Sequence, residues 1–168
     1  MIVIAVLVVL ATIALPNLSG WSTNQRLKGA ARDLVSHLQW ARSEAVKRQT
    51  TVALTFIPGA LPSRTTGQGG FYILFLDDGG PTGTGNPRNL LMDGSEVELK
   101  RVFMPPGVAL TSATFTQLTG TPSDAVGYNA RGFPVGKNGG TVKLSNNKRS
   151  YDVQVASASG GISLSGPL

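Results

Sequence analysis

With 168 residues, 41% of them hydrophobic and only 14% charged, the chain has room for one domain, or for one domain with an appendage. It has no cysteine, which excludes disulfide scaffolds, Cys-ligated zinc, iron–sulfur clusters and thiol catalysis, and its one histidine, His37, excludes a His-based zinc site or a His dyad. The net charge of +6 permits contact with nucleic acid or anionic lipid, and the excess is uneven: six basic and two acidic groups over 23–49, four and six over 50–124, five and one over 125–168.

Met1 to Leu18 reads MIVIAVLVVLATIALPNL, with no charge, and the first charge in the chain is Arg26. Eighteen helical residues span about 27 Å, close to the roughly 30 Å hydrocarbon core of a bilayer. A helix that is apolar all round is buried or spans a membrane. A cleaved secretory signal would need basic residues ahead of the run, and none precede it. A chain of this size could not wrap such a helix inside a soluble core. The expectation is a membrane anchor over 1–22, with Ile2, Ile4, Leu7, Val8, Leu10, Ile13 and Leu15 as its apolar surface. Pro16 either kinks or locally melts the helix, helped by Gly20, or merely marks the end of the membrane segment.

After Trp21 the pattern changes. Leu27, Ala31, Leu34, Leu38, Ala41 and Ala45 recur at alternating spacings of four and three, one apolar stripe of an amphipathic helix. Asp33 lies early in it and Lys47 and Arg48 at its end, which suits the helix dipole. The helix should stop near Gln49, where Thr50-Thr51-Val52 opens a β-branched run. A head domain over 23–168 is expected, helical over 23–49 and β-rich over 50–168.

Short alternating runs follow: 51–57, 71–77, 96–104, a weaker one at 108–115, then 126–129, 140–144, 151–156 and 162–164. No connection has helical period, so the sheets should be antiparallel, with the helical stripe laid on a sheet face. The expected fold class is α+β. The stretches 58–70 and 78–89 are rich in turn residues and read as exposed, mobile loops.

At this point the residues resemble a family. MIVIAVLVVLATIALPNL is similar to the N-terminal segment of type IV pilins and type II secretion pseudopilins. Ala41-Arg42-Ser43-Glu44-Ala45-Val46-Lys47-Arg48-Gln49 resembles the helix end of the GspH/FimT group among them. The order Tyr128-Asn129-Ala130-Arg131-Gly132-Phe133-Pro134, a Gly-Gly turn, Thr141-Val142-Lys143-Leu144 and Tyr151-Asp152-Val153-Gln154-Val155 is similar as well. The resemblance implies a single-pass anchor in the bacterial inner membrane that becomes a filament core on assembly. It also implies a periplasmic head with a helix against two β-sheets. The implied partners are other pilin or pseudopilin subunits, the inner-membrane assembly machinery and, before assembly, membrane lipid. No cofactor or metal is implied. The family's basic leader, cleavage site and glutamate are missing ahead of Met1, so the chain is expected to begin at an internal methionine. DNA-uptake members resemble one another in an arginine-bearing tail, whereas here it reads Ser159-Gly160-Gly161-Ile162-Ser163-Leu164-Ser165, without arginine.

Three functions are weighed. The first is a structural minor pilin or pseudopilin acting through its anchor and head. The second is a DNA-binding minor pilin, with Arg131, Lys137, Lys143, Lys148 and Arg149 as phosphate contacts and Asn146-Asn147-Lys148-Arg149 as a tight turn projecting two cations. Tyr128, Phe133 and Tyr151 could stack on bases, although aromatics in strands usually belong to a core. The third is an enzyme, for which His37 would have to serve, yet it sits beside Leu38 of the stripe and reads as an interface histidine. Asp77-Asp78-Gly79-Gly80 lacks the ordered spacing of a calcium loop and reads as a turn. Gly67-Gln68-Gly69-Gly70 precedes a strand rather than a helix, so it is not a phosphate loop. The structural function is the expected one, and no enzyme is expected.

Overall fold

A computed structural model describes residues 2–59, 69–116 and 121–167, with side chains from Gly20 onward. A single α-helix, α1, runs over Ile2–Arg48, and its 47 residues span about 70 Å at the standard rise. It continues through Pro16 and Gly20 without interruption, so no turn is melted there. The side chains of the expected membrane surface, Ile2 to Pro16, lie outside the described residues. Among the residues whose side chains are described, from Gly20 onward, no helix is long and apolar enough to cross a membrane.

Eight strands follow: β1 Val52–Pro58, β2 Gly70–Leu76, β3 Glu98–Phe103, β4 Ala109–Phe115, β5 Ala125–Tyr128, β6 Gly140–Ser145, β7 Ser150–Val155 and β8 Ile162–Ser165. They form two four-stranded sheets, ordered β3-β2-β1-β5 and β4-β6-β7-β8. Every pairing within them is antiparallel, as the lack of helical crossovers demands. The stripe of α1 closes on both inner faces, and one core joins Leu27, Leu34 and Leu38 to Leu54, Phe56 and Tyr72 of one sheet and to Val142, Leu144 and Val153 of the other.

β3 begins later than the alternation suggests. Glu96 turns its carboxylate back into the preceding loop, accepting the Gly79 and Asp93 amides at 3.2 Å each. The edge strand β3 itself carries Glu98, Lys100 and Arg101, charges that discourage further pairing along a free sheet edge.

The loop expected over 78–89 is exposed along 81–84 and 86–88 as expected, but it belongs to a longer connection, 77–97, that is tied down at several points. Buried Asp77 accepts the Arg88 and Leu90 amides, the latter at 2.9 Å, and Asp93 accepts the Asn86 amide at 3.0 Å. These anchors hold Leu90 against Ala53, Phe75 and Ala125 on the outer face of the first sheet, a second and smaller core. The turn reading of Asp78-Gly79-Gly80 holds, with Asp78 accepting the Gly80 amide at 2.9 Å. Residues 60–68, most of the other expected mobile loop, lie outside the described residues.

Candidate functional site

The six stripe residues Leu27, Ala31, Leu34, Leu38, Ala41 and Ala45 are all fully buried in the core. The two alanines at 41 and 45 have a visible purpose, since small side chains let the last turns of α1 approach the sheets closely. Glu44 is buried beside them and accepts a hydrogen bond from Arg48 Nε one turn on. That bond holds its carboxyl below the ordinary glutamate range.

The turn after β5 crosses this helix end. Asn129 accepts the amides of Arg131 and Phe133 through its side chain, at 2.9 and 3.2 Å, and Tyr128 bridges to Pro134. Gly132 adopts φ +75°, and a side chain there would press on Arg42 and Val46 of α1 at 3.2 Å. Gly160 of the C-terminal stretch packs beneath Pro134, again with positive φ. Two of the segments that carried the family resemblance, the helix end 41–49 and the turn 128–134, therefore meet at one pole of the molecule.

A cleft of about 720 Å³ opens at that pole. Gln49 and Thr50 at the end of α1, Asp78, Arg88 and Arg131 line it. Cations and carboxylates share the wall with Pro87, Ala130 and Val135, so it is a surface of mixed polar and apolar character. Among the described residues no group of three or more His, Cys, Asp or Glu converges in a way that could hold a metal ion.

His37 sits between α1 and the first sheet. Its Nδ1 lies 2.7 Å from Tyr72 Oη and its Nε2 lies 2.7 Å from Lys100 Nζ. An ammonium can only donate, so Nε2 must accept and Nδ1–H must donate to the phenol. Burial, and then the Lys100 charge, push the His37 pKa down, against a weaker pull from Asp33. Burial likewise pushes the Tyr72 phenol above its ordinary value. These two hydrogen bonds make the ring a neutral strut between helix and sheet.

The five cations proposed for phosphate contact are not brought together. Arg131 lies at the cleft and Lys137 in the short 3-10 turn Val135–Lys137 beside it. Lys143 lies on β6, 4.0 Å from Asp152. Lys148 and Arg149 lie in the β6–β7 turn, where Asn146 reaches across to Asn24 near the middle of α1. Some 25 helical residues separate the levels of Asn24 and Gln49, roughly 37 Å. Of the aromatics offered for stacking, Tyr128 and Tyr151 are buried in the core and Phe133 is exposed.

The sequence reading missed several residues that organise these regions: Glu44, Leu90, Asn129 as a turn-former, and the Asn24–Asn146 pair. Asn129 carried a local signal, an Asn two residues ahead of an Arg-Gly turn, and so did Glu44, four residues ahead of Arg48. Leu90 and the Asn24–Asn146 pair act through long-range contacts.

A long helix laid across two antiparallel sheets defines a pilin-like protein. The family described as type II transport protein GspH matches residues 30–160, and the chain belongs to it. Among solved structures it is similar to the type IV minor pilin FimU of Pseudomonas aeruginosa strain PAO1, with a TM-score of 0.54 and 17% identity over 88% of this chain and 93% of that one. It is also similar to EpsH, the minor pseudopilin of the type 2 secretion system of Vibrio cholerae, with a TM-score of 0.50 and 11% identity over 84% of this chain and 98% of that one. At these identities the two structures attest the fold. No curated protein matches the sequence.

Proposed function

We propose that this chain is a non-enzymatic minor subunit of a type IV pilus or a type II secretion pseudopilus. Residues 1–22 hold it in the bacterial inner membrane and later join the filament core, and residues 23–168 form its periplasmic head. Its partners are other pilin or pseudopilin subunits and the inner-membrane assembly machinery. One observation carries this reading. A single unbroken helix presents an uncharged apolar run over its first 18 positions and then, without a linker, becomes one wall of a folded head. An uncharged apolar run of 18 residues needs lipid or a bundle of like helices to keep it from water. The family assignment and the minor pilin and minor pseudopilin that share the fold support the same role.

A charge at the middle of the run tests it. Val8→Arg should move the chain out of the membrane fraction or stop assembly, read by fractionation together with piliation or secretion. Wild-type behaviour in all of these would overturn the reading. Uptake of DNA is the lesser reading, because its five candidate cations lie at separate places on the head.

A further inference from the structure

The end of the head that adjoins the apolar run carries exposed basic side chains together with Trp21. The β6–β7 turn is fixed against α1 by Asn146, itself buried. Its Oδ1 accepts the amides of Lys148 and Arg149 at 2.9 and 2.7 Å, and its Nδ2 donates to Asn24 Oδ1 at 2.9 Å. The Lys148 ammonium comes within 3.5 Å of where a side chain on Gly20 would begin. A second loop reaches the same level, with Pro106 accepting from Arg26 at 3.4 Å and Gly107 packed on Thr23. Trp21 is 64% exposed there.

The charges at this level have one sign. Lys148, Arg149, Arg26 and Lys28 are all exposed. Among the described residues, the four ion pairs lie elsewhere. The nearest carboxylate along β7, Asp152, faces Lys143, and the first on α1, Asp33, lies about 13 Å beyond Asn24. Asp77, Asp78, Asp93 and Glu96 gather at the opposite pole, near the end of α1.

We propose that this turn and the helix beside it form a collar that binds the phosphate headgroups of anionic phospholipid. The proposal rests on the membrane reading of residues 1–22. Leu18 ends the apolar run, so Gly20 stands about 3 Å and Asn24 about 9 Å past it. The headgroup layer is only some 6 Å deep on each side of the hydrocarbon. A span that places the run in hydrocarbon therefore places Trp21 and the Lys148 ammonium in the phosphate layer and Arg149 at its outer edge. Tryptophan favours that interface, and each basic side chain near an anionic surface is attracted to it. The rigid turn sets the height and tilt at which the head rests before it leaves the bilayer.

The lack of native cysteine provides a clean test. Asn147→Cys places one thiol at the exposed tip of the turn. The full chain is reconstituted in vesicles of phosphatidylglycerol with phosphatidylcholine, in phosphatidylcholine alone, and in detergent. A membrane-impermeant maleimide then reads access to the thiol. Labelling should slow on the order of tenfold in the anionic vesicles alone, and Lys148→Ala with Arg149→Ala should restore it. Equal labelling in all three media, with the chain floating on the vesicles, overturns the collar and leaves the anchor intact. Protection that follows protein density instead of anionic lipid also overturns it, since that marks a contact between subunits. A chain that fails to float with vesicles overturns the membrane reading, and the collar with it.

Discussion

Gln49 ends α1 in the left-handed region, at φ 57°, where a residue with a Cβ is strained. Its amide bonds Val46 O at 3.3 Å and the Thr50 amide bonds Ala45 O at 3.2 Å, the paired closure of a helix that turns through a left-handed residue. Glycine adopts that conformation freely, so Gln49→Gly should stabilise the protein by about 0.5–1 kcal/mol, measured by urea unfolding. His37 gives a second prediction at this scale. Its folded pKa is depressed, so the unfolded chain binds the proton more readily. The stabilisation is complete above pH 6.5 and is lost as pH falls through the folded value. Lys100 is the charge that a protonated ring would meet from the sheet, Asp33 the one from the helix, and Tyr72 receives its other nitrogen. Wild type should lose stability between about pH 7 and pH 5 relative to His37→Gln. Parallel curves for the two proteins would show that the ring titrates freely.

At the scale of elements, the helix stripe was legible because its spacing is local. Six positions at alternating intervals identify one face, and that face is buried throughout. Truncating one of them should be costly, and Leu34→Ala should lower stability by about 2–5 kcal/mol in chemical denaturation. The loop 77–97 was not legible, because its composition is that of any exposed turn-rich segment. Its order comes from carboxylates that reach backbone amides many residues away and from Leu90 seated on a sheet face. Gly127 leaves room for that leucine, since a side chain on Gly127 would collide with Leu90 Cδ2. Gly127→Ala should therefore displace the plug and open the loop, read as faster amide exchange at Leu90. Unchanged exchange there would show that the second core does not hold the loop.

For the whole molecule, charge sorts along the helix axis, with carboxylates near the end of α1 and unpaired cations near the apolar run. Phosphate contacts dominate nonspecific DNA binding and make it steeply salt-dependent when several cations act together. Here the five candidate cations fall into two groups, Arg131 with Lys137 beside the cleft and Lys143, Lys148 and Arg149 on the β6–β7 hairpin, so three at most act on one stretch of backbone. Titration of the full chain in detergent with duplex DNA should show weak binding, with a salt slope of about three or less. A slope near five would mean that all five engage at once and would revive the uptake reading.

The sequence by itself determined the anchor-like run, the amphipathic half of the helix, eight strands, their antiparallel pairing and the resemblance to pilins. Each follows from local periodicity, turn chemistry or a contiguous motif. Tertiary structure alone decided how the strands divide into two sheets, which loop is anchored, and which cations share a level. These depend on contacts between residues such as Asn24 and Asn146, or Asp77 and Leu90, whose side chains are ordinary in type and find their roles only when folding brings distant segments together. The family motifs show the same division. The helix end and the turn after β5 are each readable as strings, but their meeting around one cleft is a property of the packed core between them.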